Sequence, residues 1–109
     1  MSNAGVDVKA WIFRKGNGQV RVHPSPVVLK PNGTLTFVNL TRETASVIVR
    51  NDGIAPPEGN RDGVPVAPGK PSAPFGVVGT ALAYFEYEVI LASGDYAEGG
   101  SRPGAIIDP

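Results

Sequence analysis

The sequence contains no cysteine, one histidine and one methionine, which is its first residue. Without cysteine the chain can form no disulfide and can offer no thiolate as a metal ligand or nucleophile. A lone histidine also excludes any site that needs two imidazoles from the same chain. Long apolar runs are missing too: none approaches the roughly 20 residues that cross a bilayer, so we expect no membrane insertion.

Neither sign of charge is in excess, since ten basic and ten acidic side chains cancel. This balance argues against a nucleic-acid or anionic-membrane partner held by bulk charge. We therefore expect a protein or a small ligand as the partner, and a homo-oligomer stays open. We interpret residues 1–5 as a tag remnant or a disordered N-terminus, so the native compartment stays open as well.

Turn-forming residues are abundant, with fourteen glycines and eleven prolines, and they exclude long helices. Between the turns, apolar and polar residues alternate with the period of a half-buried strand. About seven to nine short strands separated by turns are typical of a β-sandwich, and residues 6–109 have the usual size of one domain. The pattern predicts strands over residues 6–13, 19–23, 27–29, 34–39, 45–50, 85–91 and 105–108, with a short edge strand near 64–66.

Residues 51–72 differ in composition, with five prolines and four glycines. We interpret this segment as one long Pro/Gly-rich loop outside the sandwich, because it is poor in apolar residues and too long for a hairpin turn. Its acids, Asp52, Glu58 and Asp62, could offer oxygen ligands to a hard cation such as calcium, with Asp95 as a further candidate from outside the segment. Their spacing matches no EF-hand loop and Arg61 stands among them, so a solvated polar loop is favoured.

Two aromatic residues, Trp11 and Phe13, lie on the face of the first strand opposite Val6 and Val8. If the valine face is buried, the aromatics need another cover, and we expect the long loop to provide it. The alternative is that they are exposed and form, together with Tyr84, an aromatic platform for a sugar or a peptide. His23 stands at a strand end beside a proline with no evident nucleophile, so we interpret it as an ordinary turn histidine, with a binding role as the alternative.

Two polar patterns lie elsewhere in the chain. Glu86 and Glu88 alternate on one predicted strand, about 7 Å apart, which suits the carboxylate pair of a glycoside hydrolase. Exposed alternating acids also keep a sheet soluble, and we favour that interpretation. Asn39 ends a predicted strand, where its side chain is expected to tie down the following loop.

Three segments, in this order, resemble the cupredoxin family. Residues 27–39 are similar to the family's strand, Pro/Gly turn and "T-x-T-F-x-N" strand. Residues 66–72 are similar to its "v-x-P-G-x-s" turn, and residues 85–89 with 104–108 resemble the paired C-terminal strands that flank the copper loop. The resemblance covers most of residues 20–109. It implies an all-β, cupredoxin-like Greek-key β-sandwich.

The resemblance also implies where copper would bind, and the chain has no ligand at those positions. The first histidine would stand near Ala45 or Ser46, and the cysteine near Val89. A second histidine and a methionine would follow within residues 90–102, which contain neither. Blue-copper sites need a thiolate and two imidazoles. The resemblance therefore implies a metal-free member of the family with no cofactor.

These observations favour a non-catalytic binding or assembly module. Two alternatives stay open: an enzyme subunit whose site is completed by a partner chain, with Glu86, Glu88 and His23 as acid–base candidates, and a carbohydrate-binding β-sandwich with an aromatic platform. Rigid sandwiches present binding residues mainly on loops, so we expect binding on residues 51–72 and on the turn region over residues 93–103. The candidate binding surface comprises Trp11, Phe13, His23, Asp52, Glu58 and Asp62.

Overall fold

The computed structural model describes residues 5–97 and 103–109, so most of the predicted N-terminal tag or disordered segment lies outside the described residues. Within those ranges the protein is all-β, and its one helical segment is a 3-10 turn at Pro57–Gly59. The same ranges contain no helix with the length and apolar character needed to span a membrane. The strands are β1 (Asp7–Arg14), β2 (Val20–His23), β3 (Val27–Leu29), β4 (Thr34–Asn39), β5 (Ala45–Ile48), β6 (Ile54–Ala55), β7 (Val64–Val66), β8 (Phe75–Val77), β9 (Ala83–Glu86), β10 (Glu88–Leu91) and β11 (Gly104–Ile107).

The strands form three sheets around one hydrophobic core. The largest sheet has the order β2-β1-β4-β8-β6, in which β1 and β4 are parallel and the other pairs are antiparallel. The two smaller sheets have the orders β10-β5-β7 and β3-β11-β9. Tyr87 alone separates β9 from β10, so one stretch of chain passes from one small sheet into the other. Mixed sheets around a shared core are compatible with the predicted β-sandwich.

The core is centred on an aromatic cluster. The ring of Phe37 on β4 meets the ring of Phe75 on β8 edge to face, with 5.2 Å between centroids, and the ring of Tyr87 at 5.4 Å. Edge-to-face pairs of this kind add about 0.5 to 1.5 kcal/mol beyond their buried area. The Tyr87 hydroxyl is buried without a hydrogen-bond partner among the described residues, and burial raises the pKa of Tyr87 well above its usual value. This hydroxyl therefore stays neutral at physiological pH.

The number of strands differs from the prediction: eleven are present in the described part of the chain, against about seven to nine expected from turn spacing. The predicted strand over residues 85–91 is divided, because its two halves pair with different neighbours, β11 and β5. β8 was missed because residues 75–77 are too short to show an alternating pattern. Val6 is 59% exposed, so the buried face of the first strand begins beyond it, at Ala10 and Ile12.

Residues 51–72 are not a single loop outside the sandwich. They contain β6, the 3-10 turn and β7, and their apolar residues Ile54, Val64 and Val66 are buried in the core. The predicted edge strand near 64–66 is confirmed as β7, which pairs with β5. The segment looked polar because each of these strands contributes so few buried positions.

The turn before β4 fixes the register that matters for the exposed face described below. It is closed by the Gly33 N–H, which donates to the Lys30 carbonyl at 3.0 Å, and Asn32 takes the positive φ of 65°. Gly33 is needed for space, since a Cβ there would lie 2.6 Å from the Val6 carbonyl oxygen. The Thr34 N–H donates to that same oxygen at 3.0 Å. This close approach aligns β1 and β4 in parallel.

Candidate functional site

Trp11 lies midway along β1, the second strand of the five-stranded sheet, on the outer face of that sheet. The strand register places it beside His23 on β2 and Val38 on β4, so these three residues form one row across the sheet. Trp11 is 38% exposed. The expected cover by residues 51–72 is wrong: their C-terminal end runs beside β4, where Pro71 forms a bridge with Val38.

The rows on either side of Trp11 extend this exposed surface. Along β1, the register places Phe13 beside Arg21 on β2 and Lys9 beside Thr36 on β4. The inward residues between them are buried, as the period of two along a strand requires. We call this surface the Trp11 face, and it comprises Lys9, Trp11, Phe13, Arg21, His23, Thr36 and Val38.

A pocket of about 370 Å³ opens where the Trp11 face meets the loop after β4. Phe13 and Leu40 supply its apolar walls, and Leu40 is 58% exposed. The rest of the lining comes from Arg14 at the end of β1 and from Thr41, Arg42 and Glu43 in the loop after β4. The sequence pattern indicated Phe13 as a binding residue but not Leu40 or Arg42. The one local signal for this loop in the sequence is apolar Leu40, which directly follows the strand-ending Asn39.

An ion-pair cluster holds the outer wall of the pocket. Arg14 Nη2 donates to Glu43 Oε2 at 2.7 Å and to Asp95 Oδ2 at 2.9 Å, while Nη1 donates to the Gly18 carbonyl at 2.8 Å. The Ser93 N–H donates to Glu43 Oε1 at 2.7 Å. The hydrogen bonds from Arg14 and Ser93 hold the pKa of Glu43 below its usual value, and Glu43 and Asp95 raise the pKa of Arg14. Both partners therefore stay charged at neutral pH and join three loops.

This cluster makes part of the stability depend on pH. The pKa of Glu43 is lower in the folded protein than its unfolded value of 4.5, so its stabilisation is present above that pH and is lost as pH falls through the folded pKa. We expect Glu43→Gln to lower the Tm most at about pH 7, with a difference that shrinks as the pH falls below 4.5 and through the folded pKa. Thermal unfolding followed by circular dichroism across this range measures the difference.

The matched control is Glu58→Gln, at an exposed position on the 3-10 turn. This control should give the same Tm as the wild type at each pH. An equal Tm loss from Glu43→Gln at every pH would contradict a role for the charge.

Asn39 fixes the loop that supplies Leu40 and Glu43. Its side chain is fully buried, and its amide nitrogen donates to the carbonyls of Glu43 at 2.7 Å and Val66 at 2.9 Å. Its amide oxygen accepts from the Thr41 N–H at 2.9 Å and from the Thr41 hydroxyl at 2.7 Å. The prediction that Asn39 ties down the following loop is confirmed.

The three acidic candidates do not join this site. Asp52, Glu58 and Asp62 are exposed on the segment around β6, which is three strands away from β1 in the large sheet. Across residues 5–97 and 103–109, no group of three or more histidine, aspartate or glutamate side chains is placed to hold a metal ion. The structure therefore brings together Trp11, Phe13 and His23 and leaves the acids apart.

Arg61, which stands among these acids in the sequence, has a different set of partners. Its Nη1 donates to the carbonyls of Val49 at 3.1 Å and Asn51 at 2.9 Å, and its Nη2 donates to the Ile54 carbonyl at 2.8 Å. These carbonyls belong to the chain that leads into β6. Arg61 therefore orders its own segment by satisfying backbone acceptors.

The positions that the cupredoxin resemblance assigns to copper ligands are packed with apolar groups. Ala45 on β5 and Val89 on β10 are fully buried. The two strands pair with each other, and Val89 lies opposite Val47. Of the loop over residues 90–102, residues 98–102 lie outside the described part of the chain. Neither Ala45 nor Val89 has a donor side chain, and Ser46, the other position for the first ligand, is half-buried and carries a hydroxyl.

Glu86 and Glu88 line a second, smaller cleft of about 180 Å³ together with Ile48 and Arg50. Both are exposed on either side of buried Tyr87, as the predicted alternation requires, but they do not share one strand, because they belong to β9 and β10, in different sheets. The imidazole of His23 has no hydrogen bond or ion pair to any residue that the structure describes. Nothing in these contacts links the three acid–base candidates into one site.

Comparison of the chain with protein-family models and with curated proteins gives no match.

Proposed function

We propose that the protein is a non-catalytic, metal-free binding module with a cupredoxin-like Greek-key fold, and that its ligand binds the Trp11 face and the adjoining pocket. The observation that carries this proposal is the exposure of Trp11, at 38%, on a sheet face one strand in from the edge. Exposed apolar patches with polar surroundings mark interaction sites, and tryptophan is enriched among residues that dominate binding energy.

The surroundings of Trp11 suit a binding surface. Phe13 and Leu40 extend the apolar contact into the pocket, whose volume lies in the range of small-ligand sites. The pocket wall is held by the Arg14 cluster and its loop by Asn39. A surface fixed in this way loses little conformational entropy when a ligand binds, which favours affinity.

The metal-free and cupredoxin-like parts of the proposal have separate support. β9 and β11, which correspond to the C-terminal strand pair in the resemblance, are paired in register. Buried Ala45 and Val89 have no donor side chain at their two positions. A copper titration followed by absorbance and native mass spectrometry tests this point. Tight binding of one copper ion per chain would contradict it.

Replacing Trp11 is expected to remove binding. Trp11 is the only tryptophan in the sequence, so its fluorescence reports directly on this face. We expect the wild-type protein to bind a subset of members on glycan and peptide arrays. Trp11→Ala should weaken that binding about 30-fold, the effect of losing roughly 2 kcal/mol at a hot spot. Fluorescence titration with each array hit gives the wild-type affinity, and calorimetry gives the affinity of Trp11→Ala, which has no tryptophan left.

The matched control is Tyr84→Ala on β9. Tyr84 is also a large exposed aromatic residue, at 62%, but it belongs to a different sheet. This variant should bind like the wild type. Array hits that survive Trp11→Ala and disappear in Tyr84→Ala would move the binding surface to the other sheet and overturn the proposal.

A further inference from the structure

The β1–β2 hairpin is basic although the whole chain has no net charge. Residues 7–23 contain four lysine or arginine residues and one acid, Asp7. Two of the cations belong to the Trp11 face: Lys9 precedes Trp11 on the same side of β1, and Arg21 lies beside Phe13. The aromatic surface is therefore flanked by positive charge.

The charges on this face are not neutralised within the described structure. Asp7 accepts hydrogen bonds from the hydroxyls of Thr34 at 2.7 Å and Thr36 at 3.2 Å. Arg21 donates to the uncharged amide of Gln19 at 3.0 Å, which leaves its charge uncompensated. Lys9 forms no ion pair with any residue in the described ranges.

The pocket adds a third available cation. Arg42 is exposed at the pocket and has no hydrogen bond or ion pair to the residues that the structure describes. Its neighbour Arg14, in contrast, is bound to both Glu43 and Asp95. Lys9, Arg21 and Arg42 are thus the cations left to meet a negatively charged ligand.

Resting on the proposed function, we infer that the ligand is an oligosaccharide that carries carboxylate groups. A pyranose ring presents a face of C–H groups that packs on the exposed indole of Trp11, and its hydroxyls meet the polar side chains around it. Guanidinium groups match the planar, bidentate geometry of a carboxylate, so Arg21 and Arg42 are suited to the acidic substituents.

An acidic peptide fits the same face less well. Peptides that bind sheets commonly add a strand to a free edge, where backbone groups supply the affinity. The edge strand here is β2, which ends at His23 and is followed by Pro24 and Pro26, neither of which has an N–H to donate. Trp11 lies one strand inward from that edge. The open face therefore suits a flat sugar chain better than an extended peptide.

The test compares acidic oligosaccharides with neutral partners of the same shape. Trp11 fluorescence and calorimetry would measure binding of oligogalacturonate, of its methyl-esterified form, and of oligosaccharides containing glucuronate or sialic acid. We expect at least one acidic sugar to bind about tenfold or more tightly than its ester, with weaker binding as salt rises. Lys9→Gln and Arg21→Gln should each weaken the acidic ligand about three- to tenfold and weaken the ester by a smaller factor, because only the acid meets the lost charge.

The control variant is Lys30→Gln, because Lys30 pairs with Asp108 at 3.1 Å, beyond the ends of β3 and β11 in another sheet. It should bind like the wild type. Equal binding of acid and ester would overturn the inference. It would also be overturned if the protein bound oligoglutamate or single-stranded oligonucleotides and bound none of the three acidic sugars. In each of these outcomes a dependence on Trp11 would leave the proposed function standing. Loss of that dependence for every array hit would overturn both.

Discussion

Asn39→Asp is expected to lower the free energy of unfolding by about 3 to 5 kcal/mol, the largest effect of any substitution considered for this protein. The two side chains have the same size, but aspartate has no N–H to donate. The carbonyls of Glu43 and Val66 would each lose a donor and would face a buried carboxylate instead. Burying a polar group without a partner costs far more than the bond itself contributes.

Urea unfolding at neutral pH measures this loss, with an unchanged m-value as the sign that the unfolded reference is the same. Asn51→Asp is the matched control. The amide oxygen of Asn51 accepts from the Gly53 N–H at 2.8 Å, and a carboxylate oxygen can accept in the same way. We expect the control to change stability by less than about 1 kcal/mol. Equal losses in the two variants would show that the buried donors of Asn39 are not what holds the loop.

Asn39 also shows what the sequence could predict. A polar residue that closes an alternating strand has few options except to bind nearby backbone, so its role follows from local pattern and elementary hydrogen bonding. The same holds for the turn at Lys30–Gly33 and for β4, where every second residue is buried. Elements defined by their own few residues were predictable.

Other features depend on contacts between distant segments. Tyr87 divides a run that alternates without interruption, because the residues on its two sides find partners in different sheets. The exposure of Trp11 depends on where residues 51–72 lie, and no local pattern encodes that they run beside β4. The Greek-key connectivity and the copper-free corner rest on the family resemblance, and they remain proposals.

Arg61→Ala is the second large expected effect, with a loss of about 2 to 4 kcal/mol in the free energy of unfolding. The guanidinium donates to three carbonyls, and hydrogen bonds from a charged donor are stronger than those between neutral groups. Arg61→Lys should recover only part of the loss, because a single ammonium group lacks the planar fork that reaches several acceptors. Arg42→Ala, at an exposed position without a hydrogen bond in the described structure, should cost less than about 0.5 kcal/mol.

Urea unfolding measures the free energy of unfolding of the three variants. The Ile54 N–H donates to the Asn51 carbonyl at 3.1 Å, so its hydrogen-exchange rate reports on the order of the segment itself. A loss from Arg61→Ala no larger than that from Arg42→Ala would contradict the ordering role.

Arg61→Ala also distinguishes two possible locations of the ligand. The segment around Arg61 is distant from Trp11 in the sheet order, so Arg61→Ala should loosen it without changing Trp11-dependent binding. If Arg61→Ala lost binding and Trp11→Ala retained it, the ligand would lie on the acidic segment instead of the sheet face.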